Sequence, residues 1–586
     1  MTLLDQNSDR ATHPIHHERP IRIITIGAGA GGLLIAYKLR RSFHNYQLAV
    51  YDKNTDVSGT WHENRYPGCA CDVPSYLYCY TFWPKHDWSH FYSSAAEIKE
   101  YFKSFAEHFD LGKYLKLRHQ VIGTRWDDAK GIWEVDLKDL ESGKVFQDTC
   151  HILINATGFL NEWEWPKVEG LDTFKGDLMH TASWPAEFDL RGKTVGLIGN
   201  GSSAIQVLPA IQPHVKALTT FIRSPTYIGP PLGSSDQRAY TASEKHAFRT
   251  QPGVLLNHRA FIKGSPEQIQ MRLSLNEEMK SKLTSDPSLA SSLIPNWSVG
   301  CRRFTPGPGY LEALQAPNVR IILSCVTRIT PTGCISADGQ SHTFDALICA
   351  TGFNTSFTPR FPVVNNATGH SLQDEWATDP RGYLSTAAAG FPNYLTLFGP
   401  NSPTGNGPVL PAMEKQADYI LPLVDRYQTE NMHAFAPKRE AVDDFNAYVD
   451  WFMARTVWSD DCRSWYKKHS ADGRITGLWP GSALHFHEAI REVRWDDWEV
   501  RYVGNRFAWL GNGFSQLEMD PEGDLSWYIG ERDDAEHGSR RKRRRVLTGR
   551  WAEPGPILWF EARSETPAHS SNCDPPQTPL PMLSIY

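Results

Sequence analysis

The stretch Ile21-Arg-Ile-Ile-Thr-Ile26-Gly27-Ala-Gly29-Ala-Gly-Gly32-Leu-Leu-Ile-Ala-Tyr-Lys-Leu-Arg-Arg41 runs from a β-branched segment through a glycine turn into a helical pattern. Strand, Gly-x-Gly-x-x-Gly and helix in that order are the context in which the glycine pattern binds a dinucleotide. Gly27 makes the tight turn, Gly29 lets the backbone approach a diphosphate, and Gly32 lets helix and strand pack closely. The diphosphate would rest on the helix N-terminus, where unpaired N–H groups point at it. A second strand, Gln47 to Tyr51, ends at Asp52, twenty residues past Gly32. An acidic side chain there accepts hydrogen bonds from a ribose diol and repels a 2′-phosphate. The first site is therefore expected to hold FAD or NAD rather than NADP.

The pattern recurs. Lys193 to Ile198 reads as a short strand, followed by Gly199-Asn-Gly201-Ser202-Ser-Ala204 and a helix-compatible run through Ile211. Ala204 in the third position satisfies the same packing logic. The next strand, Leu218 to Ile222, ends at Arg223-Ser224, where the first unit has Asp52. Arginine offers a planar, permanently charged fork for a phosphate, which suits the 2′-phosphate of NADP. One acidic-ended and one basic-ended site in one chain imply FAD plus NADPH, the pair that loads a flavin with hydride.

Between the two sites lies Phe174-Lys-Gly-Asp-Leu-Met-His180-Thr-Ala-Ser-Trp184-Pro185. By residue chemistry alone it is a loop: Gly176 permits a turn, Trp184-Pro185 ends it, and His180 is as easily packed as functional. Its pattern resembles the Phe-x-Gly-x-x-x-His-x-x-x-Trp-Pro fingerprint of the type I Baeyer–Villiger monooxygenases. Ser58-Gly-Thr60-Trp61 and Tyr66-Pro-Gly68-Cys-Ala-Cys-Asp72 are similar to the Gly-Gly-Thr-Trp and Tyr-Pro-Gly-x-x-Cys-Asp motifs of that family, with Ser58 replacing a glycine. The resemblance implies that Asp72 lies by the flavin and pairs with the active-site arginine; by spacing alone it reads as an Asp capping a turn. Gly300-Cys-Arg302-Arg303-Phe304 is similar to the family's Gly-Cys-Lys-Arg-Pro, so Arg302 matches the lysine that helps hold the 2′-phosphate and Arg303 the catalytic arginine. Trp458, Cys462, Ser464-Trp465-Tyr466 and Trp479-Pro-Gly481 resemble the C-terminal signature of the fungal and steroid-oxidising branch. There Trp465 falls near a tryptophan that touches NADP or lines the substrate entrance, while a core position is the alternative.

What the resemblance implies is an FAD- and NADPH-dependent enzyme that reacts with O2 through a C4a-peroxyflavin and turns a ketone into an ester or lactone. The chemistry of the residues agrees, since Arg303 stays protonated and can serve as a donor to a peroxide anion and the ensuing oxyanion, but never as a base. A related enzyme class, N-hydroxylating or S-oxidising flavin monooxygenases, is the alternative; it needs no such oxyanion clamp. A disulfide-type FAD/NADPH reductase would need Cys-x-x-Cys, and Cys69-x-Cys71 is one residue too short.

Size and composition bound these readings. A chain of 586 residues with 40% hydrophobic and 22% charged residues describes a globular protein of several units. A net charge of −6 gives no general reason to expect nucleic acid. No long uncharged apolar run suggests a spanning helix, and the polar start lacks a secretory signal, so a cytoplasmic, reducing setting is expected. Ten cysteines over this length make no disulfide scaffold, and no zinc-site spacing occurs. The abundance of aromatic residues hints at a bulky, apolar ketone. Arg540-Arg-Lys-Arg-Arg-Arg545 reads as part of a solvated tail rather than a nucleic-acid site.

The expected fold class is α/β, with two Rossmann-like units. A flexible N-terminal segment (1–19) precedes the first part of a discontinuous FAD unit (20–165). The NADPH unit is inserted as 186–228 and 300–349, around a helical insertion (229–299) covering the substrate. Residues 350–515 return to the FAD unit after a second Ala-Thr-Gly (350–352, matching 156–158), and 516–586 form a poorly patterned basic tail.

Overall fold

The computed structural model describes residues 10–185, 187–230, 241–243, 258–285, 287–402 and 405–526. Two five-stranded parallel sheets organise it. In the first, the strand order is Tyr394–Thr396, Ile152–Asn155, Ile21–Ile26, Tyr46–Tyr51, Leu115–Lys116. In the second it is Val319–Ile322, Ala217–Phe221, Thr194–Ile198, Ala346–Cys349, Asp177–His180. Central strands are apolar and buried on both faces, as parallel sheets require when helices cover them; Ile152–Asn155 is buried at every position. The helix Ala30–Ser42 packs on the first sheet and Ser202–Ile211 on the second.

The first sheet takes strands from both ends of the chain, because Tyr394–Thr396 pairs with Ile152–Asn155. The second sheet includes Asp177–His180 as an edge strand, so its members begin before residue 186. The fingerprint segment is thus partly strand and not only loop: its alternation is too short to announce itself, and pairing with Ala346–Cys349 decides it. The segment from Val145 to Asn155 divides at His151. Val145–Cys150 closes an antiparallel excursion with His119–Asp127 and Ile132–Asp139, whereas Ile152–Asn155 enters the parallel sheet.

The helical insertion contains Pro266–Lys282, capped by Ser265 accepting from the Gln268 N–H, and Pro287–Leu293. Leu275, Met279, Leu283 and Leu293 bury against the core of the second sheet. Residues 10–19 differ from the flexible segment expected. Ile15 donates to the Phe514 carbonyl at 3.0 Å, His16 to Trp509 at 3.0 Å, and Asn512 donates back to His13 at 2.8 Å. Contacts across some 500 residues hold this stretch, and no local pattern encodes them. Residues 1–9 and the basic run 540–545 lie outside the described residues. Among the described residues no helix is long and apolar enough to cross a membrane.

Candidate active site

Both helices after the glycine turns begin without a side-chain cap and without an acidic residue in the first turn. Their N–H groups and dipole ends are left for an anion. The three glycines of the first turn do separate work. Gly27 has φ +104°, and a Cβ there would lie 2.6 Å from the Ala156 carbonyl oxygen; one on Gly32 would lie 1.8 Å from the Gly27 oxygen. At Gly29 the nearest atom would be 3.6 Å away, and at Gly201 nothing lies within 4 Å. Protein atoms dictate the first two, whereas at the other two no protein atom would crowd a Cβ. Gly199 repeats Gly27, with φ +114°, and Ala204 is fully buried where Gly32 stands in the first unit.

This separation predicts two unlike outcomes. Gly32→Ala is expected to destabilise the fold by about 3 kcal/mol or more, the upper end of overpacking costs, and to yield protein without flavin. Gly201→Ala is expected to leave the thermal midpoint almost unchanged while weakening NADPH. Melting curves and cofactor titrations check both.

Asp52 is buried, and its carboxylate accepts the Ala28 N–H at 2.6 Å and the Asn54 N–H at 2.7 Å. Burial raises its pKa and these N–H bonds oppose the rise. Asp52 therefore holds the glycine turn. Thr60 and Trp61 open the short helix Thr60–Glu63, and the Trp61 indole N–H donates to the Tyr78 hydroxyl at 3.0 Å. Ser58 occupies φ +88° with its hydroxyl donating to the Lys99 carbonyl, a left-handed backbone that explains why glycine suits this position.

The segment Tyr66–Asp72 leaves the first unit and leans on the second. The Tyr66 hydroxyl donates to Gln206 Oε1 at 2.8 Å, and Gln206 Nε2 donates to the Ala70 carbonyl at 2.9 Å. Gly68, at φ +77°, passes so close that a Cβ would sit 2.6 Å from the Gln206 carbonyl oxygen. Asp72 lines a cleft of about 1050 Å³ together with Trp61, Gln206 and Pro306. Its carboxylate takes two parallel bonds from Arg303: Nε to Oδ2 at 2.8 Å and Nη2 to Oδ1 at 2.7 Å. The Asp72 charge raises the Arg303 pKa further and burial only partly offsets it, so the guanidinium is always charged. Even paired, Arg303 keeps 42% of its side-chain surface open.

Arg302 points elsewhere. Its Nε donates to the Arg463 carbonyl at 2.8 Å and Nη1 to the Pro225 carbonyl at 2.9 Å. Burial, with a smaller contribution from the nearby Arg223, lowers its pKa to about 10. Two like charges drawn together favour an anion beside them. Ser224 joins it through its backbone, its carbonyl accepting from Asn200 Nδ2 at 2.8 Å, and Ser202 meets Thr305 hydroxyl to hydroxyl at 2.8 Å. Trp465 is half-buried, its ring 5.5 Å from Phe159 and 4.4 Å from Tyr466.

Three features escaped the sequence. Tyr466 lies against Arg303, and burial raises its phenol to about 12 although Arg303 opposes the shift. Its place beside Trp465 was the available signal. Phe159, next to the first Ala-Thr-Gly, is stacked between Phe357 and Trp465, each at 5.5 Å. Cys301 and Cys462 form a disulfide, against the expectation of thiols in a reducing setting; 161 residues separate them, so spacing offered no reason to pair them. Cys69 and Cys71 are free, and burial raises the Cys69 thiol to about 11, unlike an attacking thiolate.

His180 is packed. Its Nδ1 accepts the Ala182 N–H at 3.1 Å, and its ring stacks on Trp163 at 4.8 Å. Burial lowers its pKa to about 4 from 6.5. The folded protein thus keeps this imidazole neutral while the unfolded chain protonates it below pH 6.5. Stability is therefore expected to fall between pH 6.5 and 4 by up to about 3 kcal/mol from this group, and no further below pH 4. Urea midpoints of wild type and His180→Asn across that range check it; parallel pH dependences would reject it.

With this geometry in hand, comparison with known proteins adds the following. The family model described as flavin-binding monooxygenase-like matches residues 21–228. The chain is 39% identical over 543 residues to the FAD-binding monooxygenase tazF of Aspergillus terreus, covering 89% of this chain and 96% of the relative. It is 33% identical over 503 residues to a Baeyer–Villiger monooxygenase of Streptomyces coelicolor, covering 84% and 94%. Among solved structures, cyclohexanone monooxygenase from Rhodococcus sp. Phi1 bound to NADP+ is similar with a TM-score of 0.73 at 25% identity, covering 83% of this chain and 100% of that one.

Proposed function

This chain belongs to the family of FAD-binding and Baeyer–Villiger monooxygenases, and from that premise we propose which of its residues carry the reaction and what ketone it takes. It is an FAD- and NADPH-dependent Baeyer–Villiger monooxygenase that forms an ester or lactone. Bound FAD, reduced by NADPH, supplies the activated oxygen. The first parallel sheet, with Gly27, Gly29, Gly32 and Asp52, holds FAD; Thr60, Trp61 and Asp72 lie along the same groove. The second sheet holds NADPH on Gly199, Gly201, Ser202 and Ala204, with Arg223, Ser224 and Arg302 at the 2′-phosphate and Trp465 at the mouth.

The observation that carries the assignment is the bidentate Arg303–Asp72 pair set between the two units, with the guanidinium open on its other edge. Arg303 stabilises the negative charge that develops when oxygen adds to the ketone carbonyl, a service worth most in a site closed to water. Asp72 fixes the plane of the fork and limits net positive charge. Neither residue moves a proton. The ketone is bulky and apolar, received beside the Phe159, Phe357, Trp465 and Tyr466 rings. The test is a ketone panel with NADPH and oxygen-18 gas: esters carrying one labelled oxygen are expected. Formation of only hydroxylamines or sulfoxides from amine and sulfide controls would overturn the reading.

A further inference from the structure

The loop bearing both arginines is tied covalently to a distant segment. Cys301, immediately before Arg302, is bonded to Cys462, with Cα atoms 6.3 Å apart and 161 residues between them. Both are buried, at 0% and 2% exposure. The remaining cysteines among the described residues are free thiols, so this pair stands apart. What flanks the bond is the candidate machinery itself. Arg302 and Arg303 follow one half; Arg463, Trp465 and Tyr466 follow the other.

Non-covalent ties cross the same seam. Arg302 Nε reaches the Arg463 carbonyl at 2.8 Å, and the Ser298 N–H reaches Asp460 Oδ2 at 3.1 Å, a carboxylate also paired with Lys263 at 3.1 Å. Gly300 turns at φ +94° against Phe261 and Val457. Arg303 bonds across the cleft to Asp72 and lies against Tyr466 of the facing segment, so its position depends on where the 300–304 loop sits. A displacement of about 1 Å in a charge-stabilising group costs on the order of a hundredfold in rate.

We propose that Cys301 and Cys462 are positioning residues for this reaction: their disulfide seats the Arg302–Arg303 loop on the Trp465–Tyr466 segment, and its reduction lowers the fraction of NADPH oxidation that ends in ester. The inference rests on Arg303 being the oxyanion donor. Reduction breaks the S–S bond as a dithiol or phosphine delivers two electrons and two protons come from solvent or the dithiol, leaving two thiols. Reformation returns two electrons and two protons to hydrogen peroxide, which becomes two waters. Hydrogen peroxide is the by-product of NADPH oxidation that misses the ketone, so a poorly seated loop would generate its own oxidant.

The test uses the full-length, FAD-loaded protein. Alkylation under denaturing conditions followed by peptide mass mapping should show a Cys301–Cys462 linked peptide that a phosphine removes. Ester and hydrogen peroxide formed per NADPH are then measured for oxidised, reduced and reoxidised wild type, and for Cys301→Ser, Cys462→Ser and the double variant. Reduction and each variant are expected to raise peroxide per NADPH by about threefold or more and the KM for NADPH several-fold, with FAD content unchanged. Reoxidation should reverse both effects in wild type alone. If variants do not fold, the reduced and reoxidised wild type decide. The proposal falls if no linked peptide forms even after peroxide treatment, or if reduced and oxidised proteins share one coupling ratio and one KM. Should no form give ester from any ketone, the functional assignment fails instead, while the linked peptide and the NADPH KM still judge the clamp.

Discussion

Arg303→Ala is expected to lose ester formation by about a hundred- to a thousandfold in kcat, the usual cost of deleting one donor to a developing oxyanion. FAD should remain bound, because Arg303 lies outside the first glycine turn and Asp52. NADPH should still be oxidised, now ending largely in hydrogen peroxide. Arg303→Lys keeps a charge but cannot reproduce the fork that meets Asp72 through Nε and Nη2, so an intermediate loss is expected. Asp72→Asn separates the parts of the argument: the arginine keeps its charge and loses its anchor. Flavin absorbance, NADPH consumption and product mass, read on the same sample, distinguish these outcomes. Wild-type ester yield from Arg303→Ala would remove the electrostatic basis of the assignment.

The second large effect concerns which nicotinamide the protein prefers. Arg302 and Arg223 repel each other, and burial adds to the cost of keeping Arg302 charged. A 2′-phosphate bound beside them would relieve that cost, and charge-assisted hydrogen bonds of this kind contribute about 1.5–3 kcal/mol each. Arg223→Ala is therefore expected to raise the KM for NADPH by about 10- to 100-fold with little change for NADH. Arg302→Ala should do the same and, because Arg302 also braces the Arg463 carbonyl, should lower kcat as well. Equal losses for both nucleotides would show that neither side chain reads the phosphate.

Much of the site was legible because its parts are local. A glycine turn announces itself by spacing, and so does the acidic or basic residue ending the following strand. Asp52 shows the limit of this reading: its position was evident, yet its grip on the Ala28 and Asn54 amides was not, since a carboxylate's second task leaves no periodic trace. His180 shows another. The fingerprint drew attention to it, but only burial against Trp163 shows that it stays neutral down to about pH 4.

The linear order of residues by itself determined two glycine turns and an acidic and a basic residue ending the strands that follow them, because strand, turn and helix propensities act over a few neighbouring residues; Asp72 and Arg303 stood out only through their resemblance to a family's motifs. Tertiary structure alone decided that Asp72 and Arg303, 231 positions apart, share two hydrogen bonds. It also decided that Cys301 meets Cys462, that residues 13–16 lie along 509–514, and that Tyr466 and Phe159 join the site. Such encounters follow from how two sheets and the segments between them fill space together, and no window of sequence contains both partners.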